Sequence, residues 1–204
     1  MNTNEKDTGR GYWLAWFLVS MLGFGVGAIL GVRAAYRFFD HDPFDMLMGV
    51  TLGSVMGATG GYLQWVVLRE RIAGAGLWTL TSVLGLGLAM GAITAVDAGQ
   101  NYALSVMLVG SVFGVASGTL QWLILGRKVP QAGWWLPANL LGALIGAIAI
   151  PVAAALSETG NWGLAVMSFG LVFGAGNGAI TGAALVWLLR HSHSNAVEGL
   201  AVAD

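Results

Sequence analysis

The sequence predicts an all-α integral membrane protein, a six-helix bundle built from three tandem two-helix hairpins. Apolar residues make up 56% of the chain and charged residues 9%, against roughly 25% charged residues in ordinary soluble domains. Six stretches contain no Lys, Arg, Asp or Glu: 12–32, 47–68, 77–96, 104–125, 134–156 and 164–189. A helix of about 20 apolar residues crosses a hydrocarbon core about 30 Å thick. These long apolar runs lack the alternation that a membrane β-barrel requires.

An internal repeat predicts how the six helices are arranged. Gly-Ser-Val at 53–55, followed by Gln64 and Trp65, returns at 110–112 with Gln121 and Trp122, and a weaker third copy covers 170–178. Since each copy spans two helices, successive copies enter the membrane in the same direction. Three such parallel repeats are most simply related by a pseudo-threefold axis along the membrane normal.

The first span resembles a signal peptide because two basic residues, Lys6 and Arg10, precede it. Its apolar run is longer than the apolar region of a typical signal peptide. It also carries the repeat, because Ser20 and Gly23 match Ser82 and Gly85. We therefore expect the span to be retained. The membrane domain is expected over 12–190, between a cytoplasmic N-terminal segment (1–11) and a mobile cytoplasmic tail (191–204).

The basic residues predict the orientation in the membrane. Seven of the nine flank the two termini and the loops after the second and fourth spans, and two fall on the other side, Arg33 and Arg37. By the positive-inside rule, both termini are cytoplasmic and the protein is multi-pass in a bacterial inner membrane. Eight of the nine tryptophans lie near the same face, which favours anchoring of their indole rings at the headgroup level.

Glycines at spacing four form a ridge along each even-numbered span, and we interpret the ridges as surfaces for close helix packing. They comprise Gly49, Gly53, Gly57 and Gly61, then Gly110, Gly114 and Gly118, then Gly170, Gly174, Gly178 and Gly182. An alternative is that the ridges make room for a flat lipid-like ligand such as a quinone, carotenoid or chlorin.

Polar side chains inside the spans form a candidate intramembrane network. At about 100° per residue, Gln64 lies about 20° from Gly53 around its helix, and so points inward. The candidate members are Ser20, Gln64, Ser82, Gln121, Asn139, Asn177 and Thr181. We expect hydrogen bonds between helices, each worth about 0.6 to 2 kcal/mol. A polar cavity or ligand site is the alternative, and for the deeper Asn177 the alternative is contact with a substrate.

Catalysis is not expected, because the six charge-free stretches contain no acid, base, Cys or His. No catalytic residue, metal site or cofactor is therefore assigned. The polar outer loop contains Asp40, His41, Asp42 and Asp45, and the tail contains His191 and His193. We interpret both groups as solvated segments and not as metal sites. The net charge of −1 gives no reason to expect nucleic acid. Pro137 and Pro151 favour a kink in the fifth span.

Gln-Trp-Val-Val-Leu-Arg at 64–69, Gln-Trp-Leu-Ile-Leu at 121–125 and the downstream Trp78 and Trp134-Trp135 resemble an uncharacterised bacterial polytopic membrane protein family of cyanobacteria and Chloroflexi-like phototrophs. The resemblance covers most of the chain and implies a membrane fold without an assigned activity. Gly126 stands where that family usually has Arg, and the third copy lacks the Gln. Three two-helix repeats also resemble mitochondrial carriers in architecture, but the charged proline signature of carriers is missing.

The function expected from these features is that of a non-enzymatic membrane scaffold or accessory subunit. Its partners would be membrane lipid and membrane proteins or further copies of the chain. The alternative is a transporter or solute-binding membrane subunit for a small neutral or lipophilic ligand.

Overall fold

The computed structural model of the protein describes residues 9–39, 46–72, 74–96 and 101–201. It is helical, and the described part contains no strand. The helices are α1 (Arg10–Phe38), α2 (Met46–Leu68), α3 (Trp78–Ala95), α4 (Tyr102–Leu125), α5 (Trp135–Ala147), α6 (Ala149–Ser157) and α7 (Trp162–Ala201). Short 3-10 turns, Ala75–Leu77 and Ala132–Trp134, lead into α3 and α5. The predicted outer loop at 40–45 lies outside the described residues.

Six helical segments are long and apolar enough to cross a membrane, as the sequence predicts. They are Arg10–Phe38, Met46–Leu68, Ala75–Ala95, Tyr102–Leu125, Ala132–Ser157 and Trp162–His191. The described backbone of the predicted tail continues the last helix as far as Ala201. The chain is thus an all-helical, multi-pass membrane protein by length and composition.

The fifth span is divided at Ile148 into α5 and α6. Pro151, in the first turn of α6, has no N–H to donate to the carbonyl four residues earlier, and its ring crowds that carbonyl. At the break itself, the Ile148 N–H donates to Ile145 O, three residues earlier, at 3.2 Å. Pro137 lies in the first turn of α5, where a missing N–H is tolerated, and α5 continues through it without interruption.

The six spans form a closed ring. Each of the helices α1 to α4 contacts the next along the chain, α5 and α6 both contact α7, and α7 contacts α1. The contact between the last and first spans closes the bundle. Every span therefore has one side toward the interior and one toward the surroundings.

The outward side of α1 is apolar. Leu14, Leu18, Leu22, Val26 and Leu30 are all exposed and follow one another at spacing four, so they form a single stripe along the helix. A continuous exposed apolar stripe of this length is costly in water and is matched by lipid chains. This surface is therefore suited to the hydrocarbon core.

The inward sides show three layers. On α1, Trp16, Ser20 and Phe24 follow at spacing four and are all buried, so an aromatic residue, a polar one and another aromatic succeed one another along one face. On α4, Phe113, Ser117, Gln121 and Leu125 are likewise buried at spacing four, so two polar residues lie between an aromatic residue and a leucine. One apolar cluster contains the buried tryptophans and the other contains the buried phenylalanines. A polar layer separates them.

The glycine ridges of α2, α4 and α7 each face the next helix around the ring. A Cβ on Gly61 would lie 2.7 Å from Ser82 Cβ of α3, and one on Gly114 would lie 2.7 Å from Leu140 Cα of α5. Gly53 and Gly57 also face α3, Gly110 and Gly118 face α5, and Gly170, Gly174 and Gly178 face α1. Since these separations are shorter than ordinary carbon contacts, the helices approach one another too closely for a side chain at these positions.

A second set of glycines lies on the odd-numbered spans. Gly23 of α1 lies against Gly60 of α2, Gly85 of α3 against Ser117 of α4, and Gly142 of α5 against Asn177 of α7. Each of these contacts joins an odd span to the even span that follows it. Each span therefore lies close to both of its neighbours in the ring. At every such contact, a small residue on one of the two helices allows the close approach.

We predict that Gly114→Ala lowers the stability of the detergent-solubilised protein by about 1 to 3 kcal/mol, because the added methyl group overpacks the α4–α5 contact. Gly57→Leu should lower it further at the α2–α3 contact. Thermal unfolding followed by circular dichroism measures both effects. Gly133→Ala is the matched control, since no atom lies within 4 Å of its added Cβ; Tyr62→Leu, at an exposed position, is the second. Equal melting temperatures in all four variants would remove the packing role of the ridges.

Candidate intramembrane polar site

Three tryptophans from alternate spans meet inside the ring. Trp16, Trp78 and Trp135 are no more than 1% exposed, and their ring centroids lie 5.4 to 6.4 Å apart in edge-to-face contacts. This arrangement corrects the headgroup interpretation for these three residues, because their rings are enclosed by protein. Trp134 and Trp187, which are exposed, remain available for an interfacial role. Burial obliges each indole N–H of the triad to find an acceptor within the protein.

The first acceptor is Gln64 of α2. Trp78 Nε1 donates to Gln64 Oε1 at 3.1 Å, and Gln64 Nε2 donates to Ser20 Oγ at 2.9 Å. Ser20 donates its own hydroxyl proton to Trp16 O one turn earlier, at 2.8 Å, so its oxygen is free to accept. One amide side chain thus joins α1, α2 and α3.

Gln121 of α4 makes the same connection one repeat later. Trp135 Nε1 donates to Gln121 Oε1 at 3.1 Å, and Gln121 Nε2 donates to Ser82 Oγ at 3.3 Å. Asn139 Nδ2 donates to the same Gln121 Oε1 at 2.8 Å. The side chain of Gln121 therefore joins α3, α4 and α5 through three hydrogen bonds.

The third connection closes the ring and differs in chemistry. Trp16 Nε1 donates to Thr181 Oγ1 of α7 at 3.0 Å, and Thr181 donates to Asn177 O of its own helix at 2.7 Å. A threonine hydroxyl has one proton, so Thr181 has none left for α5. In the first two connections, Gln64 donates to Ser20 and Gln121 donates to Ser82. Asn139 is the α5 counterpart of these serines, and it receives no such hydrogen bond from Thr181.

Three buried polar atoms of this layer have no hydrogen-bond partner: Ser117 Oγ, Asn139 Oδ1 and Asn177 Nδ2. For Asn177 the structure departs from the expected structural hydrogen bond, because its side-chain nitrogen is unpaired although the residue is 3% exposed. Ser117 lies on α4 against Gly85 of α3, whereas Asn139 and Asn177 lie on α5 and α7. Because Thr181 has no proton left for α5, it leaves Asn139 Oδ1 without a donor.

Three phenylalanines bound the polar layer on the side away from the tryptophans. Phe24, Phe113 and Phe173 are buried, with ring centroids 5.3 to 6.4 Å apart. The polar layer is thus enclosed between two aromatic triads and excluded from water. In such surroundings the hydrogen bonds are strengthened and unpaired groups are costly.

The structure brings Ser20, Gln64, Ser82, Gln121, Asn139 and Thr181 into one hydrogen-bonded layer and places Asn177 beside it. Sequence reasoning overlooked that the tryptophan indoles are the main donors. The signal available was the spacing of four between Trp16 and Ser20, Trp78 and Ser82, and Trp135 and Asn139, which puts an indole and a polar group on one helix face.

The remaining polar candidates lie apart from this layer. His191 is exposed; its ring lies 4.4 Å from that of Trp187, and its Nδ1 is 3.0 Å from Trp187 O. Within the described ranges, no three His, Asp or Glu side chains come together as metal ligands. The side chain of His193 and the loop at 40–45 lie outside the described residues.

No family model, curated protein or solved structure matches this chain. The resemblance to bacterial polytopic membrane proteins therefore stays a prediction, and the functional conclusions depend on the geometry.

We predict that Gln121→Leu destabilises the protein more than Gln64→Leu, because Gln121 has three hydrogen-bond partners in other helices and Gln64 has two. At about 0.6 to 2 kcal/mol for each bond lost in lipid, both effects should be measurable by thermal unfolding in micelles. Ser111→Leu, at an exposed position of α4, should unfold like the wild type. The reverse order of the two glutamine variants would contradict the assigned partners.

Proposed function

We propose that this protein is a non-enzymatic scaffold or accessory subunit of the membrane. The main support is that the side-chain amides of Gln64 and Gln121 use both the oxygen and the nitrogen to join neighbouring helices by hydrogen bonds. Polar groups that serve a transported solute face a cavity or a water-filled path. Here the residues of the polar layer are at most 3% exposed and enclosed by aromatic rings, which favours a rigid framework.

We further propose that the framework consists of three tandem hairpins, α1–α2, α3–α4 and α5/α6–α7, related by a pseudo-threefold axis. Equivalent positions of the sequence repeat make equivalent contacts, which supports this arrangement. Gly61 faces Ser82, Gly118 faces Asn139 and Gly178 faces Ser20. The repeats differ in the acceptor of the indole N–H, which is a glutamine for Trp78 and Trp135 and Thr181 for Trp16.

The proposed partners are lipid and membrane proteins or further copies of the chain. A groove of about 350 Å³ between α3 and α4 is lined by leucines and has Arg127 and Lys128 among its lining residues. Basic residues beside an apolar groove favour contact with anionic lipid on the cytoplasmic side. The exposed stripe on α1 offers a second apolar surface.

A solute-binding role for a lipophilic ligand is the second candidate. Two cavities of about 390 and 360 Å³ near Arg33 favour it, since binding sites for small molecules usually measure 300 to 1,000 Å³. Their lining is mainly apolar, so a polar solute is a poor fit.

We place the protein in a bacterial inner membrane with both termini cytoplasmic, on the basis of the seven-to-two distribution of basic residues. Because the chain has no cysteine, single cysteines report the topology. Gly76→Cys and Gly133→Cys, at exposed positions with free space around the added Cβ, should react with an impermeant maleimide only after cell lysis. Thr159→Cys should react in intact cells. The opposite pattern would invert the proposed orientation.

The scaffold proposal predicts that gently purified protein retains protein partners or further copies of itself and carries no stoichiometric pigment or solute. Native mass spectrometry and an absorption spectrum measure both. Asn177→Leu is the informative variant, because it removes the unpaired amide without breaking a side-chain hydrogen bond to another helix. A small molecule bound to the wild type but absent from a normally stable Asn177→Leu variant would contradict the scaffold proposal and assign a ligand to Asn177, outside the lining of the two cavities.

A further inference from the structure

The two cavities near Arg33 adjoin each other at the end of the bundle away from the buried tryptophans, and we treat them as one space. They share the lining residues Val32, Leu52, Met90, Trp162 and Val166. All six spans contribute to the lining, so the space lies inside the ring. Both cavities are partly open, so a ligand seated there would contact the spans and still reach the surface.

Residues that neighbour the phenylalanine triad line the inner part of this space. Ala28, which lines the cavity, lies one helical turn beyond Phe24 on α1. Phe169, also in the lining, has its ring 6.1 Å from that of Phe173. The lining residues of α1 run from Ala28 to Tyr36, and these eight steps correspond to a rise of about 12 Å. This depth is somewhat less than half of a hydrocarbon core about 30 Å thick.

The charge of the space is concentrated at one residue. Arg33 is the one charged side chain among the described residues that line the two cavities, and it is exposed. A guanidinium group binds a carboxylate or a phosphate through paired N–H donors. The stem of an arginine can lie along apolar surface while its charged end stays in water.

We propose that this space binds a single-chain amphiphile with an anionic head. The chain extends from Arg33 toward Ala28 and Phe169, and the head pairs with Arg33. The depth fits an acyl chain of one leaflet, the apolar lining fits its methylene groups, and the arginine fits a carboxylate or a phosphate. This assignment rests on the second function proposed above and names its ligand class.

Binding of tritiated palmitate to the full-length protein in detergent, followed by scintillation proximity, tests the assignment. We expect saturable binding of one molecule per chain. Val166→Trp, which fills the space shared by both cavities, should abolish it. Met90→Trp fills the same space from α3, so the test stands even if one of the two variants fails to fold.

The arginine is tested separately. Arg33→Gln should weaken palmitate binding roughly tenfold, as expected for loss of a hydrogen bond to a charged group. Competition by hexadecanol, which has a neutral head, should be unaffected by this change. Arg37→Gln is the matched control, because Arg37 is exposed on the same helix and is outside the cavity lining.

Three results would overturn the proposal: no saturable binding, unchanged binding in a folded Val166→Trp or Met90→Trp protein, or equal displacement of palmitate by a diacyl phosphatidylglycerol. The last result would assign the space to an ordinary membrane phospholipid. Failure of palmitate binding would leave the hydrogen-bonded layer untouched. It is therefore distinguishable from failure of the scaffold proposal, which is measured by retained partners.

Discussion

The structure depends on one constraint, that a polar group in the hydrocarbon core must find its partner inside the protein. Three indole N–H groups are buried inside the bundle, on Trp16, Trp78 and Trp135. Each donates to the even-numbered span that precedes it around the ring, at Thr181, Gln64 or Gln121. Because an unpaired indole N–H would cost more than each bond contributes, the helices can be arranged in few other ways.

Glycine makes these bonds geometrically possible. Side chains as short as Ser20 and Thr181 reach across a helix contact only if the two backbones lie close together. Gly178 and Gly182 of α7 face Ser20 and Trp16 of α1, beside the Trp16–Thr181 hydrogen bond. Van der Waals contact along the ridge and hydrogen bonding in the layer therefore stabilise the same interface, which suits a rigid framework. In the polar layer, the side-chain atoms left without a hydrogen-bond partner belong to Ser117, Asn139 and Asn177.

The sequence allowed much of this arrangement to be predicted, because composition and spacing act locally. Charge-free stretches predicted the six spans, and Gln64 fell within the glycine arc of α2 by helix geometry alone. Which tryptophans are buried inside the bundle could not be inferred in this way. Trp78 and Trp134 both lie beside basic loops, yet one is buried and the other exposed, since their direction depends on which neighbour each helix face meets. The closing contact between α1 and α7, and the cavity above Phe24, are likewise products of tertiary packing.

The contact between Trp16 and Thr181 tests the account most directly, because it joins the last span to the first. A double-mutant cycle with Trp16→Phe, Thr181→Val and the pair, measured by reversible unfolding in micelles, isolates this bond from the loss of ring volume. We expect the double variant to be more stable than the sum of the single costs implies, by about 0.6 to 2 kcal/mol. Strictly additive costs would show that the two side chains do not interact, and would contradict closure of the ring through this hydrogen bond.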